Sequence, residues 1–261
     1  MIARIRRSPA AAAVVGAPLA AHLAGMAGLW RCPGMTTARC LLGAVLLVLA
    51  ASLLAVAARA GRLAADTTRE VARLRRLRPP EELVRAAREA GVRRLRLLDD
   101  TSVTAFCAGL LRPRVHVTTG AVATLPPDGL SAVLAHEGEH ARRLDPLRRL
   151  LLRASADVLF YLPLARWWSD SRTDHAEVRA DRAAIRHAGR PAVAAALLAA
   201  DAGSAPGPAF NGATQARVAH LLGDEPPARR PSLRRFVASL LGLIGMVGLA
   251  MCLAQSLLVQ V

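Results

Sequence analysis

The chain has no lysine: all 35 of its basic residues are arginine. An abundance of alanine, leucine and arginine without lysine reflects genome composition as well as physics, so the arginines are not by themselves a nucleic-acid footprint. Acidic residues number only 19 and aromatic residues make up 3% of the chain. With 53% hydrophobic residues and a net charge of +16, neither a disordered acidic tail nor an ordinary soluble domain fits. The four cysteines form no Cys-x-x-Cys pair, which removes a disulfide framework and a thiolate zinc site from consideration. The length of 261 residues accommodates one compact domain with a few membrane segments, or at most two small domains.

Charge is also missing locally. Residues 9–30, 40–58 and 236–261 contain none. Each run is long enough to cross a hydrocarbon core of roughly 30 Å at 1.5 Å per residue, so about three transmembrane helices are expected. The first run is the weakest, with Pro18 and His22 inside it, and the Arg4-Ile5-Arg6-Arg7 start also fits a cleaved signal peptide. Three arginines precede the first run, two lie between the first and second, and 30 fall between Arg59 and Arg235. The positive-inside rule then sets the N-terminus and the middle segment in the cytoplasm and the loop at 31–39 outside. Cys32 and Cys40 would pair if that loop meets an oxidising compartment, and otherwise remain two thiols near a membrane face. The expected organisation is an N-terminal membrane region over 1–58, a cytoplasmic domain over 59–235 and a C-terminal membrane helix over 236–261. The protein is thus expected to be a multi-pass cell-membrane protein.

The middle segment reads as mainly α with a small β-sheet. Residues 66–78 carry Val71, Leu74 and Leu77 among arginines, an amphipathic helix stopped by Pro79-Pro80. Residues 81–90 form a second helix ending at Gly91. Alternation over 92–98 and β-branched residues over 113–119 predict two strands. Pro126-Pro127-Asp128 then starts a helix with periodicity over 130–144 and Asp128 as its N-cap. The Gly/Pro/Ser-rich stretch 202–212 is a flexible loop.

Within the helix at 130–144 stands His136-Glu137-Gly138-Glu139-His140. Histidines at i and i+4 project from one helix face, about 5–6 Å apart at Cβ. That spacing suits two imidazoles meeting one tetrahedral zinc, with Glu137 within reach of a metal-bound water as general base. Glu177 and Asp181 share a face of a later helix, so one carboxylate can ligate while the other supports a ligand histidine. Three protein ligands with one open position make a catalytic rather than a structural zinc site, one ion per chain.

The stretch 106–184 resembles the integral-membrane zinc metallopeptidases of the BlaR/MecR antirepressor type, and more loosely the HtpX and CAAX prenyl protease group. The residues carrying the resemblance are Phe106, Gly109 and Pro113, then Val133-Leu134-Ala135-His136-Glu137-x-x-His140-x-x-Arg143-x-Asp145-Pro146. Leu162-Pro163-Leu164, Trp167-Trp168 and the Glu177…Asp181 pair complete it. The resemblance implies an α+β zincin-like domain in which His136, His140 and Glu177 hold zinc, Glu137 is the base and Asp181 supports a ligand. It also implies that Arg143 and Asp145 brace the metal helix. Two departures stand out. A Ser-x-x-Lys acylation motif is impossible without lysine, and the chain stops at Val261 after a membrane run, so no β-lactam sensor is expected. The histidine of the HtpX-like His-Pro element is also missing; Asn211-Gly212 and Arg217 stand in its region, making Arg217 the candidate oxyanion stabiliser, with Asn211, His175 and His220 as weaker ones.

The apolar stretch 147–168 cannot cross a membrane once, because His140 and Glu177 would then lie on opposite faces of a layer about 30 Å thick. It is expected to be a helix beside the metal helix or at the interface, with Tyr161, Trp167 and Trp168 either as head-group anchors or as ordinary core. The strand at 114–119 is either the edge that pairs with an extended substrate or a central structural strand. His116 within it is a pocket or surface residue rather than a fourth ligand. Together these features predict a zinc endopeptidase acting on protein substrates, for which the resemblance points to a cytoplasmic repressor and a quality-control role is the alternative. A silent membrane scaffold is the rival of another class. No specific nucleic-acid partner is expected, because arginines and acids alternate along the helices.

Overall fold

The computed structural model describes residues 37–202 and 230–259. The apolar run at 9–30, Cys32, residues 203–212 of the expected loop, Arg217 and His220 lie outside them. The chain divides into two units, Met1–Ala51 with Leu241–Val261, and Ser52–Leu240. In the first, the opening of helix α1 (Thr37–Arg73) packs with the later part of helix α8 (Leu233–Val259). Ala44 and Val48 meet Ala250 and Met251, with Cys40, Met246 and Val247 around them. Among the described residues two helices, Arg39–Arg73 and Leu233–Cys252, are long and apolar enough to cross a membrane. Only 11% and 17% of their apolar windows are buried, so neither behaves as the core helix of a soluble protein.

The expected division between an apolar run ending at 58 and a separate helix over 66–78 is absent. Helix α1 runs on without interruption to Arg73, since no proline stands between Thr37 and Pro79. It then gives way to strand β1 (Arg76–Leu77), because the residue before a proline is pushed to extended backbone and the ladder with β2 (Leu95–Leu98) absorbs the polar groups.

The second unit is a small mixed sheet covered by helices. Strands β3 (Ala105–Ala108) and β4 (Arg114–Thr118) complete the order β1-β2-β4-β3. Strands β2 and β4 are parallel, pairing Leu95 with Val115 and Leu97 with Val117. Strands β3 and β4 are antiparallel, pairing Phe106 with His116. The two predicted strands exist in trimmed form. The predicted strand β4 is central, hydrogen-bonded on both sides, which excludes the edge role considered for it; the edges are β1 and β3, and sequence patterning identified neither as a strand.

Helix α2 (Glu81–Glu89) and helix α4 (Pro127–Arg143) cover the sheet. Leu83, Ala87, Leu97, Val115, Val117 and Leu134 form the main core. Helix α4 has Pro126 as N-cap and Pro127 at its first turn; Asp128 sits inside that turn, where it complements the helix dipole rather than capping. On its far side α4 meets α6 (Pro163–Ala188) and α7 (Arg190–Ala202), with Ala132, Ala184, Ala192 and Val193 packed together. Small residues at that seam let the helices approach closely.

The stretch 147–168 is two helical pieces, α5 (Asp145–Val158) and the start of α6, separated by a turn at 159–162. Two of its polar side chains are tied to helix α1: Asp157 accepts from Arg59 Nε and Nη2 at 2.9 and 2.7 Å, and the Tyr161 and Ser52 hydroxyls are 3.1 Å apart. Ser239 Oγ accepts from the backbone N–H of Leu164 at 3.0 Å. Trp168 is half-exposed with the Arg172 guanidinium 5.5 Å over its ring, and Phe160 is fully on the surface.

Strand β4 passes directly into the short helix α3 (Thr119–Thr124), whose N-cap is Thr118; its hydroxyl accepts from Ala121 N at 3.1 Å. Gly120 lies against the neighbouring loop, and a Cβ there would sit 2.1 Å from the Thr101 carbonyl oxygen. Backbone, not a flexible side chain, would have to yield. Gly120→Ala is therefore expected to lower stability by about 1–3 kcal/mol or more. Chemical denaturation of both proteins measures it, and a loss under about 0.5 kcal/mol would contradict the close approach.

Candidate metal centre

Helix α4 places His136 and His140 one turn apart, their rings edge to face with centroids 4.8 Å apart. The helix ends at Leu144, which adopts left-handed backbone (φ 55°, ψ 35°). A branched residue without glycine's freedom resists that conformation, at a cost on the order of 1–2 kcal/mol. The turn it makes sends the chain straight into α5 and brings Asp145, at its first residue, under His140. Asp145 Oδ2 is 2.9 Å from His140 Nδ1. Helix α6 brings Glu177 and Asp181 to the same histidines from the opposite side, and Asp181 Oδ1 is 3.0 Å from His136 Nδ1. Asp145 and Asp181 are 2% and 0% exposed.

These two buried carboxylates decide the tautomers. A carboxylate accepts, so each Nδ1 is the donor and each Nε2 is left with a lone pair. The two Nε2 atoms are 3.1 Å apart. Glu177 Oε2 stands 3.5 Å from Nε2 of His136, and Oε1 stands 3.6 Å from Nε2 of His140. Three acceptor groups thus converge with no proton of their own; the Arg149 guanidinium donates toward His140 and Glu177, and a cation between the three would offset their mutual repulsion. Taken one ligand atom per residue, the three groups lie within 4.8 Å of one another, close enough to gather around a single tetrahedral ion. Residues His136, His140 and Glu177 are able to hold such an ion.

Burial pushes the Glu177 carboxyl up, but its contacts with His136, Arg149 and His140 outweigh that and hold it well below the usual carboxylate range. Asp145 is also held low: burial acts against it, while His140, Arg179 and Arg149 prevail. Arg179 Nη2 donates to both Asp145 oxygens at 3.2 Å. Glu139, buried on the metal helix, is held low by Arg142 and Arg143 against the opposing effect of burial. Arg143, expected to brace the metal helix, pairs with Glu139 at 3.1 Å on that helix. Asp145 is the residue that braces His140.

A cavity of about 370 Å³ opens onto the site. Glu137 lines it beside both histidines, and the β3 edge supplies Ala105, Phe106 and Cys107. Burial and the nearby Glu137 push the Cys107 thiol up to about 12, so it is an inert wall group. His175 is exposed on α6, away from the cavity. His116 is neither surface nor pocket: it is buried and stacked on Phe106, centroids 5.0 Å apart, and burial with Arg76, Arg114 and Arg96 nearby lowers it to about 4. Arg149 on α5 lines the cavity and hydrogen-bonds Glu177. Sequence reasoning passed over it, although its i+4 spacing from Asp145 placed both on one helix face.

Residues 78–199 match the model of peptidase family M48. The family implies a metallopeptidase, typically zinc-dependent, and the matched segment runs from just before α2 through most of α7, enclosing the whole cluster. The match is to the broad family and does not single out the BlaR/MecR type. No curated protein matches the chain.

Because Asp145 holds the donor tautomer of His140, Asp145→Asn is expected to weaken zinc binding by about 10–100-fold. Titration against a chromogenic chelator measures this; unchanged affinity would remove the carboxylate from the metal site.

Proposed function

We propose that this chain is a zinc-dependent endopeptidase of the cell membrane that hydrolyses protein substrates at the cytoplasmic face. The observation that carries this reading is the set of three proton-free acceptors from His136, His140 and Glu177, with both Nδ1 atoms gripped by buried aspartates. Zinc bound there supplies Lewis acidity, which acidifies water and polarises a carbonyl. Glu137 accepts the proton of the attacking water and passes it to the leaving amine. Asp145 and Asp181 keep Nδ1 of His140 and His136 protonated throughout, so both rings keep their orientation. Strand β3, paired on one side with β4, offers its other edge to an extended peptide beside the cavity, which replaces β4 in the role considered from sequence. Arg217 lies outside the described residues and keeps only its sequence-based candidacy as oxyanion stabiliser.

The two long, outward-facing apolar helices support membrane attachment, and the arginine excess between Arg59 and Arg235 supports a cytoplasmic active site. The resemblance to antirepressor peptidases makes a cytoplasmic repressor the first substrate to test; membrane-protein quality control is the second. An intact cluster with Glu137 in the cavity wall weighs against a silent scaffold.

In membranes, Glu137→Gln is expected to abolish cleavage while leaving zinc content intact, and His136→Ala to lose both. Comparison of membrane-fraction peptides and metal analysis reads the two effects. Equal cleavage products from wild type and Glu137→Gln would sink the peptidase reading.

A further inference from the structure

Arg149 stands against two of the three residues of the metal cluster. Its Nη2 hydrogen-bonds Oε1 of Glu177, and the same atom lies 3.3 Å from Nε2 and 3.5 Å from Nδ1 of His140. Near-equal distances to the two ring nitrogens put the guanidinium over the imidazole face. A group on the lone-pair axis of Nε2 would stand farther from Nδ1 by almost the full width between the nitrogens. Arg149 is therefore off the lone-pair axis of Nε2, although within hydrogen-bond distance of that atom. Its charge is offset by Glu177 and by the adjacent Asp145, so a cation is tolerated beside a cation site.

The two oxygens of Glu177 have different surroundings. Each faces one ligand nitrogen, Oε1 standing 3.6 Å from Nε2 of His140 and Oε2 standing 3.5 Å from Nε2 of His136, but Oε1 is the one that accepts from Arg149. A free carboxylate beside a divalent cation gains by turning both oxygens to it. A charge-assisted hydrogen bond from a guanidinium is the competitor that keeps one oxygen away. We propose that Arg149 is a positioning residue that holds Glu177 to one-oxygen ligation and so preserves an open coordination position for water and substrate. The inference rests on reading His136, His140 and Glu177 as the metal ligands. Its chemical content is separate: it concerns the number of oxygens Glu177 contributes, not whether metal binds.

Cobalt(II) in place of zinc provides the test, because four-coordinate cobalt absorbs visible light several-fold more strongly than five-coordinate cobalt. The full chain in detergent is titrated with cobalt for wild type, Arg149→Met and Arg149→Leu, which lack a donor, and Arg149→Lys, which keeps one. Wild type is expected to take up one cobalt with the strong band, the Met and Leu variants one cobalt with a several-fold weaker band, and Arg149→Lys a band restored toward wild type. The side chain is 39% exposed, so the uncharged variants are expected to fold, and two of them guard against failure of either. A wild-type band in Arg149→Met or Arg149→Leu at full occupancy overturns the inference and leaves the metal reading standing. A wild type that takes up no cobalt or zinc overturns both.

Discussion

The grip of two buried aspartates on two histidines is the constraint that orders this site. Each aspartate would be costly to bury alone, and each histidine would present either nitrogen to the cavity if free. Paired, they satisfy one another and turn both Nε2 lone pairs to the same point. Three helices must meet for this: α4 supplies the rings, α5 supplies Asp145, and α6 supplies Asp181 with Glu177. The left-handed corner at Leu144 follows from the same need. A helix that continued past Arg143 would carry residue 145 around the axis and away from His140. The strain at the corner is offset by burial of an aspartate that also takes two hydrogen bonds from Arg179.

The rest of the second unit holds α4 in place for that meeting. Its apolar side lies on the sheet through Leu134, Val115 and Val117, and its other side lies on alanines of α6 and α7. The chain is poor in aromatics and rich in alanine, so this core gains little from large side chains and depends on short interhelical distance. Close approach also brings short carboxylate side chains within hydrogen-bond range of the rings. Charged residues serve the same architecture: Arg179 bridges Asp145 and the buried Glu139, and Arg59 ties α1 to Asp157 on α5. Many of the arginines that dominate the composition are thus absorbed by internal partners or spread over solvated helix faces.

Local signals were strong where the pattern was long or the residue type unusual. The helix bearing His136 and His140 has a clear period and a proline start, and strands β2 and β4 were announced by alternation and β-branching. Strand β3 escaped notice because four residues, Ala105-Phe106-Cys107-Ala108, are too few to show a period; its place at the edge depends on pairing with β4. The turn at 159–162 was hidden inside an apolar run for the same reason, since hydropathy is continuous across it. The break expected near residue 58 was a change of composition without a change of backbone.

The sequence by itself determined the donor set: histidines at i and i+4 and carboxylates at i and i+4 lie on common faces wherever helices form, because helix geometry is local. It also determined the charge-free runs and their order. Only the tertiary structure decided which carboxylate serves which atom. Asp145 became the partner of His140 while Arg143 turned to Glu139, Arg149 reached Glu177, and β3 rather than β4 took the edge. Those outcomes depend on how separate helices and strands meet across the core. No spacing along the chain encodes the direction in which a corner such as Leu144 sends the residues that follow.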